Sequence, residues 1–187
     1  MNNYCDEEWF GRKNVFNAEK DDHTWTVVEE PIEFPKRKTW KHYVDSRRLE
    51  ITCGEAPYLV SRYDVSTGEL IVPPKRRIGQ LDRKLRIVNE NAMDYDEWVK
   101  WAVRAFEASY GYEYQGDNLL IARINLLLTF IDYYKERWGK EPDEKLLQTV
   151  TNKIVWNIWQ MDGLKDTVPL GKPYEEFRQM TLFDMYS

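Results

Sequence analysis

The chain has 187 residues, of which 42% are hydrophobic and 14% are aromatic, and a net charge of −5. This composition can bury a core, which excludes a chain that is disordered throughout. The apolar runs are far shorter than the ~20 residues of a membrane-spanning helix, so no membrane segment is expected. The acidic amino terminus lacks the apolar stretch of a secretory signal, and two cysteines make no disulfide framework. We therefore expect a cytoplasmic protein.

The first third of the chain predicts short elements. Residues 1–24 are polar and acidic without clear periodicity, which indicates an arm or a loop-rich start. Residues 24–29 alternate and contain β-branched side chains, which is typical of a strand. A short helix is predicted over residues 40–48 and an extended segment over 49–52. Residues 58–63 and 69–72 flank a turn that contains Gly68, and together they predict a β-hairpin.

From Asp94 onward the apolar residues recur with a helical period. The predicted helices start after Asp94, after Asp117 and after Pro142-Asp143, where an acidic side chain can cap the first turn. The second helix ends near Trp138, before Gly139. The third continues to Trp159 or gives way to a strand over residues 154–159. A short helix over residues 174–180 is a further prediction.

These elements predict an α+β fold, with short N-terminal strands and loops followed by a mostly helical C-terminal half. An incomplete Rossmann-like sheet is the alternative. We expect residues 1–35 to form an acidic arm with the first strand. Residues 36–187 then form one domain, with a basic segment at 36–86 and its helical part from residue 94.

The charged residues are unevenly distributed along the chain. Residues 1–35 carry three basic and nine acidic side chains, residues 36–86 thirteen and six, and residues 87–187 eleven and seventeen, which gives net charges of −6, +7 and −6. The basic middle either pairs with the acidic flanks or neutralises the phosphates of a nucleic acid. A third interpretation is that the acidic flanks meet a basic protein partner. The candidate nucleic-acid contacts are Arg47, Arg48, Lys75, Arg76, Arg77, Arg83 and Lys84.

Catalytic and metal-binding motifs are scarce. The two histidines and two cysteines have no zinc-site spacing, and we expect no metal, although 32 acidic residues leave a magnesium site open. Cys53 is interpreted as a buried, inert thiol. No glycine-rich phosphate loop occurs. Trp156 and Trp159 lie three residues apart, which favours core packing or a stacking platform for a base.

Four stretches together resemble a known family: residues 48–64 (R-L-E-I-T-C-G-E-A-P-Y-L-V-S-R-Y-D), 78–91 (I-G-Q-L-D-R-K-L-R-I-V-N-E-N), 110–127 (Y-G-Y-E-Y-Q-G-D-N-L-L-I-A-R-I-N-L-L) and 156–165 (W-N-I-W-Q-M-D-G-L-K). With them, residues 9–185 resemble small proteins of bacterial mobile elements and phages that are labelled restriction endonuclease subunit M. The resemblance implies a role in restriction and modification, within bacterial defence or phage anti-defence.

The chain also has a looser likeness to the adenine-specific DNA methyltransferases of restriction systems. In those enzymes a strand that ends Tyr-Gly-x-Glu binds the ribose of S-adenosylmethionine, and residues 110–113 (Y-G-Y-E) are similar to it. A later strand ends in an Asp near the adenine, which corresponds to Asp162. The first cofactor motif of those enzymes is a glycine-rich turn, and the turn with Gly54 and Glu55 at that place departs from it, with one glycine and a proline. The resemblance therefore implies that Gly54, Glu55, Glu113 and Asp162 bind S-adenosylmethionine.

The sequence departs from those enzymes at the catalytic motif. It has no Asn/Asp-Pro-Pro-Tyr/Phe, since Pro73-Pro74 lies between Val72 and Lys75. The leading hypothesis is thus a restriction-modification-associated, methyltransferase-like protein without intact catalysis that binds DNA or a restriction or defence protein. One alternative is an active adenine DNA methyltransferase, alone or as a subunit. Another is a protein inhibitor of a bacterial defence nuclease, whose acidic flanks imitate phosphates.

Overall fold

The structure, a computed structural model, describes residues 1–21, 24–64, 66–163, 165, 167–169 and 171. The helices are α1 (Asn2–Phe10), α2 (Trp40–Asp45), α3 (Gln80–Asn91), α4 (Tyr95–Glu107), α5 (Gly116–Trp138) and α6 (Glu144–Asn157). The strands are β1 (Asn17–Glu19), β2 (Trp25–Val27), β3 (Arg48–Ile51), β4 (Ser109–Glu113) and β5 (Ile158–Gln160). The fold is α+β, as the sequence predicts. No helix of the described part is long and apolar enough to cross a membrane.

Three of the strands form a parallel sheet in the order β3-β4-β5. Parallel neighbours need long crossover connections. Helices α3 and α4 connect β3 to β4, and helices α5 and α6 connect β4 to β5. The carboxyl ends of all three strands therefore meet at one edge of the sheet. Strands β1 and β2 pair separately as an antiparallel ribbon.

The two faces of the parallel sheet differ in burial. Successive side chains of a strand point to opposite faces. Glu50, Gly111 and Ile158 are buried on one face. Leu49, Ile51 and Trp159 are exposed on the other. Among the described residues, the helices therefore cover only one face of the sheet.

Local signals explain the starts of two of the three predicted helices. The third, α5, begins at Gly116, ahead of Asp117, and has no side-chain cap, so the predicted cap at Asp117 is wrong. The side chains of Asp94 and Asp143 accept the backbone N–H of Glu97 and of Leu146, both at 2.8 Å, and so cap α4 and α6. Gly139 adopts φ 64° and ends α5. The ambiguity over residues 154–159 resolves into the last turn of α6 followed by β5.

One prediction for the N-terminal half is wrong. Residues 2–10 form α1 instead of a loop-rich start. This helix buries only Asp6 and Phe10, which leaves little periodicity to detect. The predicted hairpin forms in shortened form around Gly68: Tyr63 pairs with Leu70, the N–H of Asp64 donates to the carbonyl oxygen of Glu69 at 2.9 Å, and the N–H of Ile71 donates to that of Arg62 at 2.8 Å. It does not extend to residues 58–60, because Leu59 turns back toward Ala56 and is buried in the core. The helix predicted over residues 174–180 lies outside the described residues.

One buried cluster joins the first 35 residues to the rest of the chain. Phe10, Phe16 and Ile32 belong to the same core as Trp98 and Phe130. The ring centroids of Phe16 and Tyr43 lie 5.6 Å apart, within the range of favourable aromatic pairs. The first 35 residues are therefore packed against the core of the chain and do not form a detached arm.

Candidate functional site

The turn that follows β3 lies at the carboxyl edge of the sheet and has unusual backbone geometry. Thr52, Gly54 and Ala56 adopt φ values of 59°, 55° and 67°. Only glycine takes this left-handed region without penalty, and other residues lose about 1–2 kcal/mol each. The N–H of Cys53 donates to the carbonyl oxygen of Tyr112 on β4 at 2.7 Å. Backbone strain of this kind persists where surrounding structure fixes it, and it concentrates at functional sites.

Glu113, the last residue of β4, holds this turn. One carboxylate oxygen accepts the N–H of Gly54 at 2.7 Å, and the other accepts the N–H of Gln115 at 2.9 Å. Only 6% of Glu113 is exposed. Each carboxylate oxygen has a second lone pair, so the group can accept further hydrogen bonds. Glu113 thus links the turn after β3 to the start of α5.

Asp162 follows β5 on the same edge of the sheet. Its carboxylate accepts the N–H of Lys165 at 3.1 Å and lies 3.7 Å from the ammonium group of that residue. The adjacent Gly163 packs on β3, since a Cβ atom there would lie 2.5 Å from Cγ2 of Ile51. The N–H of Met161 also donates to the carbonyl oxygen of Glu113 at 2.9 Å. The segment after β5 therefore crosses the carboxyl ends of all three strands.

Glu55 completes the set of four predicted cofactor residues. It is exposed, and its carbonyl oxygen accepts a hydrogen bond from the Asn125 side chain of α5 at 3.1 Å. The structure therefore brings Gly54 and Glu113 into direct contact and places Glu55 and Asp162 on the same edge.

Glu50 is a further buried carboxylate beside this turn that the sequence analysis missed. It is 5% exposed, and burial raises its pKa to about 7, against the hydrogen bonds from the backbone of Leu59 and Tyr58. The Cys53 thiol is buried as predicted, and burial, with Glu50 and Glu113 nearby, raises its pKa to about 12. Alternation of the L-E-I strand predicts an inward Leu49 and Ile51 and an outward Glu50, the reverse of the structure, so no sequence pattern signals this residue.

Three of the seven basic residues predicted to contact nucleic acid are buried in the protein. Arg77 is paired with Asp132, Arg83 is paired with Asp6, and the ammonium group of Lys84 donates to the carbonyl oxygen of Ala108 at 2.9 Å. All three are at most 2% exposed. The prediction is therefore wrong for these residues, because each long side chain reaches an internal acceptor instead of solvent.

The other four basic residues remain near the surface. Arg47 and Arg76 are exposed, and neither has a salt bridge among the described residues. Arg48 and Lys75 are partly buried, and Lys75 is paired with Glu29 of the acidic flank. The candidate phosphate contacts are thereby reduced to one pair at the start of β3 and another at the 3₁₀ turn Pro74–Arg76.

The remaining candidate features are a metal site and the tryptophan pair Trp156 and Trp159. The described residues contain no group of three or more His, Cys, Asp or Glu side chains arranged to hold a metal ion. Trp156 is 72% exposed, so the core-packing interpretation is wrong for it. The ring nitrogen of Trp159 donates to the carbonyl oxygen of Trp156 at 2.7 Å. The stacking role stays a prediction.

Comparison of the chain with protein-family models, with curated proteins and with solved structures found no match.

Proposed function

We propose that this chain is a methyltransferase-like protein that binds S-adenosylmethionine at the carboxyl edge of the β3-β4-β5 sheet and lacks the residues for methyl transfer. It serves a restriction-modification system, in defence or anti-defence, by binding DNA or a protein subunit. The observation that supports this best is the hydrogen bond between Glu113 and Gly54. It joins the ends of two adjacent parallel strands, and open α/β sheets bind nucleotides at such edges.

The chemistry of the edge fits an adenosine ligand. Backbone N–H groups occupy one lone pair on each oxygen of the Glu113 carboxylate, and once the Gly54 segment moves aside the remaining lone pairs can accept the paired hydroxyls of a ribose. Asp162 follows the neighbouring strand and supplies an acceptor for an exocyclic amine. Gly54 has no Cβ, which allows a ligand to approach the backbone closely.

Access to Glu113 depends on the turn that covers it. Because Glu113 is 6% exposed, the ligand must displace the segment around Gly54. The left-handed conformations of Thr52 and Ala56 reduce the free energy needed to open that turn. Ligand binding is therefore coupled to rearrangement of residues 52–56.

Methyl transfer needs a group that the chain does not provide. The Pro73-Pro74 pair is followed by Lys75, whose side chain is paired with Glu29, so no amide side chain faces a target amine there. We expect no methylation of adenine in DNA when the protein alone is incubated with labelled S-adenosylmethionine. Incorporation of the label would replace this proposal with the active-enzyme alternative.

Calorimetric titration with S-adenosylmethionine tests the binding step. We expect the wild type to bind and Glu113→Gln to bind about 10–100-fold more weakly, since hydrogen bonds to a charged group contribute about 1.5–3 kcal/mol. Asp162→Asn should weaken binding less, and Glu8→Gln on the exposed side of α1 should bind like the wild type. Circular dichroism of Glu113→Gln at the titration temperature controls for folding, because the amide cannot accept both backbone N–H groups that Glu113 binds. No heat with the wild type contradicts the proposal.

A further inference from the structure

The outer face of α5 is an apolar stripe with no partner in the described structure. The inner face packs in the core through Leu119, Ala122, Leu126 and Phe130. On the opposite side Ile121, Ile124 and Leu128 are 38%, 47% and 36% exposed, and Leu120 beside them is 59% exposed. Contiguous exposed aliphatic side chains of this kind are typical of interaction surfaces.

The spacing of the stripe is that of a helix-pairing seam. Ile121, Ile124, Leu128 and Ile131 are separated by steps of three, four and three residues, and Ile131 is half-buried because it also packs against the core. This alternation keeps side chains in line along a helix that packs against another helix. Extended by one step at each end, the seam reaches Asp117 and Lys135, about 27 Å apart at 1.5 Å per residue.

The two ends of the seam carry opposite charges. Asp117 lies in the first turn of α5 and Lys135 in the last, and both are exposed. The Lys135 ion pair with Glu141 is itself exposed, at 49% and 65%, so it holds the lysine weakly. If two copies of α5 lie antiparallel, Asp117 of each copy meets Lys135 of the other. A parallel arrangement would bring like charges together at both ends.

We propose that the protein forms a two-fold dimer in which α5 packs antiparallel against α5 of a second copy. In this register Ile124 contacts Leu128 of the second copy, and Ile121 contacts Ile131 of the second copy. The interface is self-complementary, as a two-fold axis requires. It does not depend on the cofactor edge, because the seam lies on the side of α5 opposite the core.

Sedimentation analysis of the full chain over a range of concentrations tests the dimer. We expect a dimeric wild type and a monomeric Ile124→Glu, because that change places two like charges at the centre of the seam. Met93→Glu is the matched control, since Met93 is 88% exposed outside α5. It should remain a dimer. Circular dichroism of each variant controls for folding. A monomeric wild type, or a dimeric Ile124→Glu, would overturn the proposal.

A charge exchange tests the antiparallel register. Asp117→Lys and Lys135→Asp should each weaken dimerisation about tenfold, because each creates two like-charged contacts across the two-fold axis. The double variant should recover wild-type affinity, since both contacts become attractive again. Each charge change also alters the interaction with the helix dipole of α5. The thermal midpoint measured at a concentration where the protein is monomeric reports that effect separately from dimerisation. Failure of the double variant to recover dimerisation would contradict the register.

Discussion

The carboxyl edge of the sheet and helix α3 both carry dense charge, but they use it differently. At the edge, Glu113 and Asp162 accept hydrogen bonds from the backbone of neighbouring turns. In α3, Asp82, Arg83, Lys84 and Arg86 are all at most 3% exposed. A run of charged residues can therefore be the polar interior of a protein, so charge density alone does not indicate a binding surface.

Helix α3 connects distant segments through these buried groups. Arg83 donates to Asn3 and Asn17, both at 2.8 Å, in addition to its pair with Asp6. Lys84 donates to the carbonyl oxygens that follow α2 and α4. Burial lowers the pKa of Lys84 to about 7, so its side chain carries less positive charge at neutral pH than an exposed lysine does. The basic residues of α3 therefore stabilise the fold.

The largest effect should come from breaking the buried pair on α3. Arg83→Ala leaves the Asp6 carboxylate buried without its counter-charge, and we expect a loss of about 3–5 kcal/mol in the free energy of unfolding. Arg76→Ala, at an exposed position, should change it by less than about 0.5 kcal/mol. Urea denaturation measures both. An Arg83→Ala variant that is as stable as the wild type but loses DNA affinity would contradict the structural role given to Arg83 and favour a nucleic-acid contact.

Gly79, which precedes α3, should be the next most sensitive position. A Cβ atom there would lie 2.4 Å from the carbonyl oxygen of Leu59, which belongs to the backbone and cannot rotate away. Gly79→Ala should lower the free energy of unfolding by about 1–3 kcal/mol. At Gly116 the nearest atom is 3.5 Å away, so Gly116→Ala is the control. Equal thermal midpoints for the two variants would show that the contact between α3 and Leu59 can relax.

Glu50 should make the free energy of unfolding depend on pH. Its pKa is about 7 in the folded protein and about 4.3 in the unfolded chain, so folding takes up a proton between these values and stability falls as pH rises through them. Glu50→Gln should match the wild type at pH 4 and exceed it at pH 8 by roughly 1–2 kcal/mol, because the amide carries no charge that burial would penalise. Urea midpoints at both pH values measure the difference, and equal midpoints at pH 8 contradict it.

The smallest effect should come from the exposed arginines. Arg47→Ala combined with Arg76→Ala should leave the thermal midpoint unchanged. If these residues contact phosphates, the slope of log affinity against log salt should fall by about 2, one for each contact. Fluorescence anisotropy with duplex DNA measures it. Glu69→Gln, at an exposed acidic position, is the control. Unchanged DNA affinity would remove nucleic acid from the proposed partners of this surface.

Local chemistry made part of the fold predictable. Asp94 and Asp143 cap their helices, and Gly139 ends α5, because each signal acts within a few residues. The role of Arg83 was not predictable in this way, because its partner Asp6 is 77 residues distant in the chain. A positive charge in the sequence does not show whether the fold will supply an internal acceptor.

The candidate site was predictable only through the family resemblance. Gly54 and Glu113 are 59 residues apart, and no periodic pattern connects them. The strain at Thr52 and Ala56 could not be predicted either, since neither residue type favours the left-handed region. Strand alternation would have placed Glu50 on the solvent face, because its neighbours Leu49 and Ile51 are the apolar residues of the strand.

The most direct test of the central claim compares the two regions in one experiment. Backbone amide resonances of ¹⁵N-labelled protein are followed while S-adenosylmethionine is added. We predict shifts at Gly54 and Gln115, whose N–H groups bind Glu113, and none at Arg83 or Lys84 in α3. Resonances that do not move at Gly54 and Gln115, or that move only in α3, would contradict the assignment of the carboxyl edge as the binding site.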